Sequence, residues 1–88
     1  MPNQSVPTTS TVQIGNYLYQ GLGTEGSSVT ISALIGLTIL LVFKGDKLLA
    51  QTTGTPDVDS FKFNASTGLI QFGNDIENGQ LIQILNKA

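Results

Sequence analysis

The 88-residue chain contains no cysteine, no histidine, no arginine and no tryptophan. Without cysteine there is no disulfide, no thiolate ligand and no thiol nucleophile. Without histidine the usual general base near neutral pH is missing, and so is the commonest transition-metal ligand. A Ser-His-Asp triad is therefore impossible. A Ser-Lys pair through Lys47 would need burial that a turn position does not supply. The expectation is a protein that is not an enzyme, with no catalytic residue, no metal and no cofactor.

Charge is scarce as well. Lys44, Lys47, Lys62 and Lys87 stand against Glu25, Asp46, Asp57, Asp59, Asp75 and Glu77, for a net charge of −2. The charged fraction is 11%, against about 25% in an average soluble protein. No basic cluster lies along one stretch, so a nucleic-acid backbone finds no row of cations to neutralise. Ser, Thr, Asn, Gln and Gly must make the surface polar. Such a surface is compatible with packing into an assembly and also with ordinary exposure on an extracellular module.

The one long apolar run is VTISALIGLTILLVF, residues 29–43. It falls short of the about 20 residues that a membrane helix needs, and Thr30, Ser32, Gly36 and Thr38 interrupt it. Its β-branched content predicts two buried strands split at a Leu34-Ile35-Gly36 corner. The first residues, MPNQSVPTTST, have neither a positive start nor an apolar centre, which argues against a signal peptide. No membrane association is expected.

Strand-length apolar runs and turn residues fill most of the rest. Val12-Gln13-Ile14 and Tyr17-Leu18-Tyr19 alternate on either side of Gly15-Asn16, predicting two short strands, the second an edge. Residues 37–44 are apolar on both pleat faces, as in a strand covered on both sides. Gly45 and Asp46 form a two-residue turn, and residues 47–51 return from it. Phe61 and Phe63 alternate with Lys62 and Asn64; Ser66-Thr67-Gly68 turns the chain; Ile70 and Phe72 follow. Ile76 plugs one end of the core, and residues 80–85 close the series with Ile82 and Ile84 inward. No helical period runs beyond about two turns.

The predicted fold is all-β, a small antiparallel β-sandwich spanning residues 12–88, preceded by an extended N-terminal arm, residues 1–11. Its expected core is Val29, Ile31, Leu34, Ile39, Leu41, Phe43, Leu48, Phe61, Phe63, Ile70, Phe72, Ile82 and Ile84. Leu40, Val42, Leu49, Leu69, Leu81 and Leu85 fall on the opposite pleat face, where a second sheet or a partner must cover them. A domain this small buries only about 60–65% of its unfolded surface. With disulfides and thiolate metal sites closed to it, oligomerisation or docking remains as added support.

Several patterns invite chemistry and read better as turns. Gly21-x-Gly23-x-x-Gly26 has the dinucleotide spacing, but no βαβ unit surrounds it and no helix follows. Asp57 with Asp59, and Asp75 with Glu77, read as solvated loop carboxylates rather than a Ca²⁺ or acid–base pair. Asn64-Ala65-Ser66 matches the glycosylation sequon and reads as turn residues. Tyr17, Tyr19 and Phe72 could form a sugar-stacking platform, or simply pack.

ILLVFKGDKLL followed by SFKFNASTGLIQFGNDIENGQLIQIL resembles a β-module that recurs in bacteriophage structural proteins. Phe61-Lys62-Phe63, Ser66-Thr67-Gly68, Ile70-Gln71-Phe72 and Ile82-Gln83-Ile84 occupy that module's strand and turn positions. The chain departs from it at Leu85-Asn86, where the module ends on an aromatic, and at Gly45-Asp46, where its glycine comes second. The resemblance implies a virion component assembled in the bacterial cytoplasm: a capsid decoration, auxiliary head or head-fibre protein. A small β-domain with an arm suits many-copy attachment to a capsid lattice. The implied partners are the major capsid protein or other virion proteins, with homo-oligomers inside the particle. The candidate docking residues are Val6, Pro7, Val12, Ile14, Tyr17, Tyr19 and Leu22. The alternative is a tail-fibre or cell-surface module that recognises a receptor or glycan.

Overall fold

A computed structural model of the chain describes residues 14–88. The arm, residues 1–11, lies outside the described residues, as do Val12 and Gln13.

Seven strands run in chain order: β1 (Ile14–Gln20), β2 (Ser28–Thr30), β3 (Thr38–Lys44), β4 (Lys47–Gln51), β5 (Ser60–Asn64), β6 (Leu69–Phe72) and β7 (Leu81–Lys87). A 3-10 turn, Ser32–Leu34, links β2 towards β3. The strands form one sheet in the order β1-β7-β3-β4-β5-β6-β2. All neighbours are antiparallel except β4 and β5, which are parallel. The all-β expectation holds. The layering differs from two packed antiparallel sheets: one mixed sheet curls around its own core as a half-barrel.

The parallel step explains the curl. Parallel neighbours usually need a crossover of a dozen residues or more. Here β4 and β5 share only the pairs Ala50↔Ser60 and Gln51↔Phe61. The end of β4 meets the start of β5, so the loop at 52–59 doubles back over two residues instead of crossing a whole strand. The sheet steps sideways at this joint and bends.

Strand β7 lies between β1 and β3 and fixes the inner face. Its Ile82 and Ile84 are fully buried, facing Tyr19 and Tyr17 of β1 on one side and Lys44 and Val42 of β3 on the other. Strand β1 is continuous through Gly15 and Asn16, which do not break it. An added Cβ at Gly15 would meet Asn86 Oδ1 at 2.7 Å. Glycine there lets β1 lie against the buried Asn86 side chain.

The alternation expected along β3 fails at Leu40. On β3 the register moves from Ile39↔Asn86 to Leu41↔Leu85, leaving Leu40 as the extra residue of a β-bulge. An extra residue inverts every later side chain. Val42 therefore faces inward with no exposure, while Leu41 is 41% exposed and Phe43 is half-buried on the outer side. The inversion passes to β4 through the pairs Val42↔Leu49 and Phe43↔Leu48. Leu49 is buried and Leu48 faces out. Leu41, Phe43 and Leu48 thus leave the expected core, and Val42 and Leu49 enter it. Val29 and Phe63 pack on the core from partly buried positions, and Ile76 closes it from the loop before β7.

The turns carry the glycines that the geometry demands. Gly45 takes φ +66° at the first central position of the β3–β4 hairpin. Gly68 takes φ +78°, and an added Cβ would lie 2.3 Å from the Ile31 carbonyl oxygen. The same close approach lets the Ile31 N–H donate to the Gly68 carbonyl at 2.9 Å. This contact ties the segment after β2 to the β5–β6 turn.

Two comparisons test this arrangement by urea unfolding. Leu49→Ala is expected to cost about 2–5 kcal/mol, and the neighbouring Leu48→Ala no more than about 0.5 kcal/mol. Gly36, at φ +81°, has nothing within 4 Å of an added Cβ. Gly36→Ala should cost about 1–2 kcal/mol for left-handed backbone alone, and Gly68→Ala clearly more.

Candidate functional site

The outer face of β1, β7, β3 and β4 gathers several of the exposed large hydrophobic side chains among the described residues. Cross-strand register places Leu18, Gln83, Phe43 and Leu48 in one row, and Asn16, Leu85 and Leu41 in the next. Leu81 opposite Gln20, and Ile14 opposite Lys87, flank these rows. Ile14, Leu18, Leu48 and Leu81 are each more than half exposed. Lys87 is the single charged side chain in this grid. Scattered exposed leucines are ordinary; here they adjoin one another, with Asn16, Gln20 and Gln83 between them.

The bulge also opens a groove at one end of this face. Beyond Val42↔Leu49, β3 and β4 no longer pair. The space between them is about 350 Å³, lined by Leu40, Leu41, Leu48, Leu49, Ala50 and Phe61, with Gln51 and Asp59 at the side. Asp59 is held there by an ion pair with Lys47. Ile14, the first described residue, sits at this same end, since Ile14 and Thr38 both pair with Lys87.

The expected docking residues divide. Ile14 and Leu22 are exposed, at 62% and 66%. Tyr17 and Tyr19 turn inward and pack on the core. Val6, Pro7 and Val12 lie outside the described residues. The sugar platform of Tyr17, Tyr19 and Phe72 does not form on the surface, because Phe72 is buried and both tyrosines are inner-face side chains. Sequence reading misses Leu18, Leu41 and Leu48 as surface residues. Alternation along β1 marks Leu18, but nothing in the local pattern marks the bulge.

The polar candidates are structural. Glu25 gathers three donors: the Tyr19 hydroxyl, the Leu22 N–H at 2.7 Å and the Gly23 N–H at 3.0 Å. The tyrosine bond, with the two amides behind it, lowers the Glu25 pKa from 4.5 to about 2. The same bond and burial raise that of Tyr19. The glycine-rich loop packs on the turn before β7: Gly21 donates to Gln80 O and accepts from Gly79, and an added Cβ at Gly21 would strike the Glu77 carbonyl. Its glycines serve close loop packing, with no phosphate cradle required.

Asp57 Oδ1 accepts from the Asp59 N–H at 2.9 Å and the Ser60 hydroxyl at 3.0 Å, closing the loop before β5. These bonds lower the Asp57 pKa. Asn64 Oδ1 accepts from the Ser66 N–H, so the sequon residues form the turn. Lys44 is buried on the inner side, where its ammonium donates to Asn74 Oδ1 and Asp75 O, each at 2.9 Å. It also lies 5.5 Å from the Phe72 ring centre. Burial lowers its pKa, opposed by the charges of Glu77 and Asp75. No group of three metal-ligating side chains occurs among the described residues. No helix among them is long and apolar enough to cross a membrane.

No protein-family model matches the chain, and neither a curated protein nor a solved structure matches it.

The Glu25 cluster gives a pH test with a definite sign. A carboxylate whose folded pKa lies below its unfolded value stabilises the fold fully above the unfolded pKa. That contribution should fade as pH falls from about 4.5 through about 2. Amide hydrogen exchange at Leu22 and Gly23 should accelerate over this window relative to Ile84. Glu25→Gln should show weaker protection that no longer changes across it.

Proposed function

We propose that the chain is a non-enzymatic structural protein of a bacteriophage particle, a capsid decoration, auxiliary head or head-fibre protein. One observation carries the docking part of this reading: an outer sheet face of apolar side chains with a lone lysine among them. The phage setting rests on the resemblance of residues 39–49 and 60–85 to the virion β-module.

The size of the face indicates how docking works. Four strands at about 4.8 Å spacing, each about seven residues of 3.3 Å, give a footprint of roughly 450 Å². A standard interface buries about 800 Å² per partner. The face alone falls short, and a second contact must add to it. Ile14, the first described residue, lies at the grooved end of this face, and in this reading the second contact comes from the N-terminal arm. A partner seated there would complete the sandwich-like layering that the single curled sheet lacks. The major capsid protein or another virion protein would be that partner, and assembly would follow synthesis in the bacterial cytoplasm.

The receptor- or glycan-binding alternative has lost its surface aromatics, since Tyr17 and Tyr19 are committed to the inner face. The low charge and the missing histidine and cysteine continue to disfavour an enzyme.

Quantitative mass spectrometry of particles purified from the encoding bacterium is the direct test. The chain should appear in many copies per particle. Deleting residues 1–11, or substituting Leu41→Lys with Leu48→Lys, should remove it from particles while circular dichroism stays that of a β-protein. Particles devoid of the intact chain would overturn the reading, as would full incorporation of both variants.

A further inference from the structure

Strand β1 is a long and regular edge of the described sheet. Among the described residues it pairs on one side only, with β7, through seven unbroken register pairs. The other edge, β2, is three residues long. Sheet edges are normally blunted by shortness, bulges, proline or charge, because a free row of N–H and C=O groups recruits another strand. Ile-Gly-Asn-Tyr-Leu-Tyr-Gln has no bulge, no proline and no charge.

We infer that β1 is the self-association edge of this protein, pairing antiparallel with β1 of a second copy about a two-fold axis at Tyr17. A second copy presents an edge of the same seven residues and so matches it over its whole length. The edge carries no charge, so placing it against itself meets no like-charge repulsion. The outer faces of both copies then join side by side across the axis. Ile14 pairs with Gln20 and Asn16 with Leu18 across the axis, all on the outer face. The pairing does not depend on where the protein works.

Sedimentation of the full chain tests it. The wild type is expected to be a dimer. N16K/L18K sets lysine against lysine at two cross-axis pairs and should halve the sedimentation mass, with circular dichroism unchanged. N16K/L18E sets lysine against glutamate and should restore the dimer. Leu48→Lys alters the outer face three strands away and should leave the dimer intact. A wild type monomeric up to its solubility limit overturns the inference. So does a dimer that survives N16K/L18K, that N16K/L18E fails to restore, or that Leu48→Lys dissolves. No virus particle enters the measurement, so its failure leaves the virion reading standing, and the reverse holds too.

Discussion

The two faces of the sheet are sorted by one extra residue, Leu40. A strand without the bulge would send Leu41 and Phe43 into the core with Ile39. It would leave Val42 and its partner Leu49 outside. The bulge reverses this past position 40, and antiparallel pairing forces β4 to follow. The inner set Val42, Leu49, Ile82 and Ile84 can then pack together around the curl. The outer set, Leu41, Phe43 and Leu48, joins Leu18, Leu81 and Leu85 on one surface. Core and outer face thus share one cause. The groove beside Leu40 is its third consequence, since β3 and β4 separate where the extra residue bends the strand.

The polar residues hold the loops that cap the half-barrel. Glu25 fastens the glycine-rich loop to β1 through Tyr19. Lys44 reaches from the inner face to the turn that carries Ile76, binding Asn74 and the Asp75 carbonyl. Asp57 shapes the loop that makes the short parallel step possible. A buried ammonium with two acceptors and an aromatic face is tolerated where a lone one is not. A small core with no disulfide needs its ends closed by such contacts.

Much of this is legible in the sequence. Alternation finds β5, β6 and β7 and places Phe61, Ile70, Phe72, Ile82 and Ile84 inside, because each strand keeps a strict period of two. Gly45 and Gly68 announce their turns. Ile76 reads as a plug because one isoleucine sits among turn residues. The errors cluster where the chain is apolar on both faces. In residues 37–44 periodicity holds no information, so the bulge is invisible and the wrong member of each pair goes to the core. Gly15 misleads for the opposite reason: a glycine that ends a local pattern resembles one that makes room for a neighbour such as Asn86. The parallel joint between β4 and β5 leaves no sign, since it depends on where two strand ends meet rather than on what either contains.

The distribution of charge bears on the same surface. Glu25, Asp46, Lys47, Asp57, Asp59, Asp75 and Glu77 stand in or beside loops and turns, Lys62 lies on β5, and Lys44 points inward. Only Lys87 remains on the outer face of β1, β7 and β3. The whole chain is only 11% charged, so a single ion on this face is what an even spread would give. A carboxylate or ammonium buried there would cost several kcal/mol unless matched, whereas leucine and phenylalanine contribute about 25 cal/mol for every Å² they hide. The buried core contains none of these side chains, so folding alone leaves Leu18, Leu41, Leu48 and Leu81 in water.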